Sequence, residues 1–181
     1  MLISLEQLCE RSLLYPDELH ELEGLPDYNV EFDHVIPVKM RLLERAASRF
    51  KDVATEEDKT ALEQFCEECH FWVDEYAFFM ALKNAHGGAS WTEWDPAVAR
   101  RQPEAMQHWR DKLASDIFCH KFLQFEFHQQ WKALKQYANE RQIQIIGDIP
   151  IYVAHDSVDV WAYTDNFMID PETLAASQMA G

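Results

Sequence analysis

Glycine is scarce in this sequence, five residues in 181, and neither of the common glycine-rich phosphate loops occurs. Positive charge is also short. Sixteen Lys and Arg stand against 32 Asp and Glu, a net charge of −16, with the acids spread along the chain rather than gathered in a tail. A surface of that sign repels phosphate backbones, so neither nucleic acid nor an anionic membrane is an expected partner. Four cysteines, Cys9, Cys66, Cys69 and Cys119, are too few for a disulfide framework at this length and fit a reducing, cytoplasm-like compartment. No apolar run of about 18 residues is present, so no membrane span is expected. Met1-Leu2-Ile3-Ser4 leads at once to Glu6, which does not read as a secretory leader. Internal repeats and low-complexity linkers are missing too. What is there is apolar substance: 48% of residues are hydrophobic, which argues against disorder, and the length suffices for one domain with a real core.

The periodicity is mostly helical. Leu5, Leu8, Cys9 and Ser12 share one face of a short helix over Ser4 to Leu14, with Ser4 as its cap. Tyr15 to Phe32, with Pro16, Gly24 and Pro26, reads as loop with a brief helix at Asp17 to Leu22. Pro37 is placed to open the next helix, where Met40, Leu43, Ala47 and Phe50 recur at three- and four-residue steps. Thr55 and Asp58 form a capping-box pattern, and one stripe then runs from Leu62 through Phe65, Trp72 and Val73 to Phe79 and Met80. Lys83 falls in the last turn and Gly87-Gly88 ends the helix. A loop with Trp91, Trp94 and Pro96 precedes a long helical region from about Pro103 to Arg141, apolar on more than one face from Ile117 to Phe127.

The most informative stretch is Gly147 to Ala162, GDIPIYVAHDSVDVWA. Ile143-Gln-Ile-Ile reads as a buried strand and delivers Asp148 to its exit, where α/β barrels keep their substrate-contacting groups. Pro150 cannot donate to a ladder, so regular pairing should fade there. Asp156 and Ser157 then offer N-cap oxygens to a short helix carrying Val160 and Trp161. Near-continuous hydrophobicity from Ile143 to Val153 implies a strand covered on both faces, yet no second strand is evident to pair with it. The expectation is therefore a piece of a larger domain.

That segment resembles the third barrel strand and following loop of the 4-α-glucanotransferases (amylomaltase, or disproportionating enzyme). Four further stretches resemble the same family in the same order. They are Leu2 to Glu6; Val30-Glu31-Phe32 with Val35, Lys39 and Leu42-Leu43; Tyr76 to Lys83 with Trp91 to Trp94; and Phe122 to Trp131. The resemblance implies an α/β fold, a partial (β/α)8 TIM barrel. Residues 1–141 would be a mostly helical insert between strands 2 and 3, and 142–181 the third strand and its loop, in one incomplete domain. Family members begin with two earlier strands and continue past the position of Ala180-Gly181 into a Val-Pro-Pro-Asp-Tyr loop and strands bearing the catalytic carboxylates. The expectation is a fragment truncated at both ends, with no catalytic residue in this chain and no activity alone.

The implied reaction is retaining transfer of α-1,4-glucan segments between maltooligosaccharides, needing neither metal nor organic cofactor. Its partners would be maltooligosaccharides or starch- and glycogen-derived glucans. The compartment would be cytoplasm, or a plastid if a transit peptide lies upstream. Asp148 is the leading candidate for substrate binding, followed by Asp156 and Trp161; Asp156 is accounted for equally by helix capping, and Trp161 either packs under the loop or stacks on sugar. Trp91 and Trp94 either form a sugar platform or anchor their loop. Cys66, Cys69 and His70 look like half a zinc site, but the matching Cys/His pair is missing and both cysteines lie on the apolar stripe, so core packing is expected. His120 and His128 read as polar members of a mostly buried helix. The alternative to the enzyme reading is a non-enzymatic acidic helical module that binds a protein partner.

Overall fold

The computed structural model describes residues 2–25 and 28–178. Pro26 in the first loop and the terminal Ala180-Gly181 lie outside them. Eight α-helices form in these residues: α1 Leu5–Glu10, α2 Phe32–Val53, α3 Glu56–Glu68, α4 His70–Ala85, α5 Pro96–Ala99, α6 Pro103–Lys112, α7 Ala114–Glu140 and α8 Val158–Ala162. Short 3-10 turns lie at Pro16–Leu22, Trp91–Glu93 and Thr164–Asn166. The chain divides into two compact units, Met1–His70 with Lys121–Gln144, and Phe71–His120 with Ile145–Gly181.

In the first unit, Ser4 caps α1 as its sequence position suggests, its hydroxyl accepting from Gln7 N–H at 3.3 Å. The same residue is tied to α7 from both sides: its N–H donates to Gln130 Oε1 at 2.7 Å and its carbonyl accepts from Gln130 Nε2 at 3.3 Å. Pro37 does not open α2 but lies inside it. The helix starts earlier because Glu31 O accepts from both His34 and Val35 N–H, at 3.0 and 2.9 Å, so the ladder is already closed when Pro37, in the second turn, forgoes its own bond. Leu42, Leu43 and Phe50 of α2 are buried, and Phe50 meets Phe122 of α7 at a centroid distance of 5.1 Å. Thr55 and Asp58 make the expected capping box on α3, and Phe65 packs on Phe125 of α7 at 5.8 Å.

The long stripe is split. Cys69 ends α3 with φ −104° and ψ 8°, and α4 starts at His70. His70 Nδ1 donates to Glu67 O at 2.7 Å, so an imidazole serves a carbonyl where the ladder is interrupted. The region after Pro103 is split in the same way at Leu113, φ −103° and ψ 19°.

In the second unit, α4 buries Phe78, Phe79 and Leu82 and ends at Gly87 and Gly88, both left-handed with φ +64° and +82°. Gly88 N–H returns to Lys83 O at 2.8 Å, the closure a glycine pair permits without a Cβ clash. Trp161 of α8 is 0% exposed at the centre of this core, 5.9, 5.7 and 5.7 Å from the rings of Phe78, Phe79 and Trp94.

The expected strand at Ile143 to Ile146 is not formed. Among the described residues the only β pairing is an isolated antiparallel bridge, Ile169 to Ala176. Residues 143–150 carry no regular structure, and Ile146, Ile149 and Ile151 are 92%, 84% and 88% exposed. The physical reason is pairing. A strand exists only beside another that takes up its backbone groups, and none is present in the described residues to do so.

Candidate functional site

Asp148 sits on this extended stretch and is exposed. Among the described residues its one hydrogen bond is local, Oδ1 accepting from Ile149 N–H at 2.8 Å. Neither oxygen is held by another side chain, which leaves the carboxylate open to an external hydroxyl.

Beyond Val153 the chain is held firmly, and the anchors are all in the second unit. Asp156 Oδ2 pairs with Lys83 Nζ at 2.5 Å, and Oδ1 accepts from Trp91 N–H at 3.4 Å. Trp91, 0% exposed, donates Nε1–H to His155 O at 2.8 Å, and its ring stacks on the His155 imidazole at 5.4 Å and 28°. His155 Nε2 lies 3.0 Å from Leu174 O; a carbonyl only accepts, so Nε2 carries the proton. Ser157, rather than Asp156, is the N-cap of α8, its hydroxyl accepting from Val160 N–H at 3.3 Å.

Trp161 is wholly within the core. Its Nε1–H donates to Val98 O at 3.2 Å, and the Arg101 guanidinium lies 4.1 Å over the ring. Trp91 and Trp94, at 0% and 3% exposure, likewise anchor their loop, with no face open for stacking on a ligand. Arg101 adopts φ +54°, and its Nη2 meets Glu75 Oε2 at 2.7 Å while Arg110 reaches Glu75 Oε1.

The chain then folds into a small hairpin-like turn. Asp170 Oδ1 accepts from the N–H of Thr173 and Glu172 and from the Thr173 hydroxyl, at 2.8 to 3.0 Å. These donors, Thr173 N–H foremost, hold its carboxyl below the usual aspartate range. Arg100 braces the turn by donating to Pro171 O and Glu172 O at 2.5 and 2.9 Å. Neither this brace nor the Lys83 pair is visible in sequence spacing, because the partners lie 71 to 73 residues apart. Lys83 read only as a cation suited to a helix C-terminus.

The remaining candidates lie on or beside the long helices. Cys66 on α3 and Cys69 at its C-cap are half-buried. His120 is 6% exposed, 3.2 Å from the Asn84 amide; burial lowers its pKa, with Asp116 opposing. His128 packs 5.3 Å from the Phe65 ring.

The second unit is thus a helical body that fixes the loop following an exposed carboxylate. Comparison with known proteins gives the chain a family. The glycoside hydrolase family 77 model, described as 4-alpha-glucanotransferase, matches residues 1–179. A 4-alpha-glucanotransferase of Synechocystis is 44% identical over 99% of this chain and 36% of its own length. The chloroplastic/amyloplastic one of Solanum tuberosum is 34% identical over 94% of this chain and 29% of its own. An amylomaltase from Streptococcus agalactiae, solved in complex with acarbose, superposes with a TM-score of 0.88 at 35% identity, covering 95% of this chain and 34% of that one. The chain belongs to the 4-alpha-glucanotransferase family. It spans about a third of the length of the curated relatives it matches. The alternative, an independent helical interaction module, gains nothing from these matches. No helix of the described residues is long and apolar enough to cross a membrane.

Proposed function

We propose that this chain is the insert-and-third-strand portion of a 4-α-glucanotransferase of the retaining type. Residues 1–141 are the helical insert and 142–181 the third strand of a (β/α)8 barrel with its loop. The observation that carries the reading is the family match over residues 1–179, supported by the superposition on an amylomaltase. The exposed apolar row from Ile143 to Val153 supports it as well, since both of its faces would be covered in a barrel.

In the reaction a carboxylate attacks the anomeric carbon while a carboxylic acid protonates the leaving oxygen. A sugar hydroxyl, in place of water, then resolves the glycosyl-enzyme. No residue here matches the family motifs that carry those carboxylates, so this chain contributes a wall of the site. Asp148 is the group assigned to substrate, its remaining acceptor positions taking hydrogen bonds from glucan hydroxyls at the strand exit. The substrates are maltooligosaccharides or glucans from starch or glycogen, and the chemistry asks for no metal or organic cofactor. The compartment is cytoplasm or plastid; the plant relative is named as chloroplastic/amyloplastic.

Two measurements test the reading. The chain alone, incubated with maltotriose, is expected to give neither glucose nor longer oligomers, and clear disproportionation would refute the assignment of catalysis to other segments. In a graft, this chain replaces the matching third of the Synechocystis relative. The graft is expected to disproportionate maltotriose, and Asp148→Asn within it to lower kcat/KM by about tenfold or more, the usual scale for a lost contact to the reacting centre. An inactive graft that folds, or an unaffected Asn variant, counts against it.

A further inference from the structure

We propose that the last three turns of α7 are a docking face for the β-sheet segments of a 4-α-glucanotransferase that lie outside this chain's span, and that the chain binds a polypeptide carrying those segments. The identity of the partner rests on the glucanotransferase reading; the existence of the face does not.

α7 changes character along its length. In its first half Phe122, Leu123 and Phe125 are buried, and Phe122 and Phe125 meet rings of α2 and α3. From Trp131 onward the helix is amphipathic. Trp131, Leu134, Tyr137 and Ala138 recur at three- and four-residue steps, while Lys132, Lys135, Gln136, Asn139 and Glu140 fall on the other side. The apolar side is open: Trp131, Leu134 and Tyr137 are 40%, 54% and 56% exposed. Both of its rings are already held on one side, Trp131 by Phe127 at 6.4 Å between centroids and Tyr137 by the Arg141 guanidinium at 3.5 Å. Fixed aromatic side chains with an open face are what protein interfaces favour at their centres.

The end of the helix fixes the kind of surface that fits. Ile143 N–H returns to Ala138 O at 3.0 Å and Gln142 N–H to Asn139 O at 2.9 Å, with Gln142 left-handed at φ +60°. This pair of bonds is a Schellman closure, and it delivers the chain to the apolar row that starts at Ile143 within two residues of the helix. A helix joined to an apolar strand by so short a connection packs on the sheet that the strand enters. A second copy of this chain has no such sheet to offer, since the isolated bridge between Ile169 and Ala176 is the only β pairing among the described residues. The superposed amylomaltase matches 95% of this chain with 34% of its own length, and the sheet is assigned to the remainder.

Thiol labelling tests the face. Leu134→Cys and Lys135→Cys, neighbours on opposite sides of α7, are placed in the chain and in the graft described above. Their maleimide labelling is read by peptide mass spectrometry, which separates them from the four native cysteines. Both are expected to react quickly in the chain alone. In the folded graft Leu134→Cys is expected to react about tenfold more slowly or less, and Lys135→Cys at an unchanged rate. Binding is tested by co-expressing the tagged chain with the Synechocystis relative lacking its matching third. The two are expected to co-purify, and Leu134→Glu, an exposed change that leaves the helix content of the chain unaltered by circular dichroism, to cut the recovered complex about tenfold or more. Equal labelling of Leu134→Cys in chain and graft overturns the face, and failure to co-purify overturns the binding. Protection of Leu134→Cys but not Lys135→Cys in the chain alone as its concentration rises assigns the face to a second copy and overturns the proposal. A folded graft that protects Leu134→Cys yet leaves maltotriose untouched supports the face and counts against the glucanotransferase reading alone.

Discussion

Glu126 is 1% exposed and ionisable, and what its burial costs depends on a single guanidinium. Arg11, at the C-cap of α1, gives Nη1 to Glu126 at 2.6 Å and Nη2 to Asp58 at 2.7 Å, so one side chain joins α1, α3 and α7 within the first unit. Burial raises the Glu126 pKa, and Arg11 opposes without cancelling it. At Asp58 burial also pushes upward, but the Thr55 hydroxyl and Arg11 outweigh it and the pKa ends lowered. The signs differ accordingly. A raised folded pKa at Glu126 gives stability that is complete below the unfolded value and lost as pH climbs through the folded one. A lowered pKa at Asp58 gives stability present above its unfolded value and lost as pH falls. Arg11→Ala, leaving a buried carboxylate unpaired, is expected to destabilise by about 3 kcal/mol at pH 7, and Glu126→Gln by far less. Thermal melts from pH 4.5 to 8 check both: wild type should lose stability relative to Glu126→Gln as pH rises, and parallel curves would contradict this.

Elements formed where their signals were local. Thr55 and Asp58 announce α3, Ser4 and Ser157 cap their helices, and Gly87-Gly88 stops α4, because each mechanism acts within four or five residues. Thr55→Ala is therefore expected to cost about 1 kcal/mol, read from a urea melt at unchanged m. The breaks at Cys69 and Leu113 were not legible, since helical periodicity continues across both and nothing in spacing marks an interruption. Nor was the strand that failed to form: Ile143 to Ile146 has β-forming composition, but pairing is supplied by another segment or not at all. Site residues divide in the same way. Asp148 was legible from its place after an apolar run, while the grip on Asp156 depends on a lysine 73 residues away. Trp161, read from sequence as either packing or stacking, is held in the second unit's core on several ring faces. Trp161→Ala is expected to cost about 3–5 kcal/mol and to loosen 157–174 by proteolysis, whereas an unchanged melt would speak against its core role.

For the whole chain, the exposed isoleucines set its behaviour in solution. Ile146, Ile149 and Ile151 form an apolar row beside unpaired backbone, and such a row attracts other strands. The isolated chain is expected to bind an apolar dye and to self-associate with rising concentration despite its charge of −16. Replacing Ile149 and Ile151 by Lys should reduce both, measured by fluorescence and light scattering, and no change would mean the row is covered in some other way. The first unit has a different consequence. It is discontinuous: Met1–His70 closes only with Lys121–Gln144, and Ser4 finds Gln130 across 126 residues. During synthesis, then, α1 to α3 leave the ribosome before their partner helix exists. Residues 71–144 take roughly 4–15 s to add at about 5–20 residues per second, and for that interval the apolar faces around Phe50 and Phe65 have nothing of their own to cover them. A chaperone that holds nascent chains has its opportunity in this window.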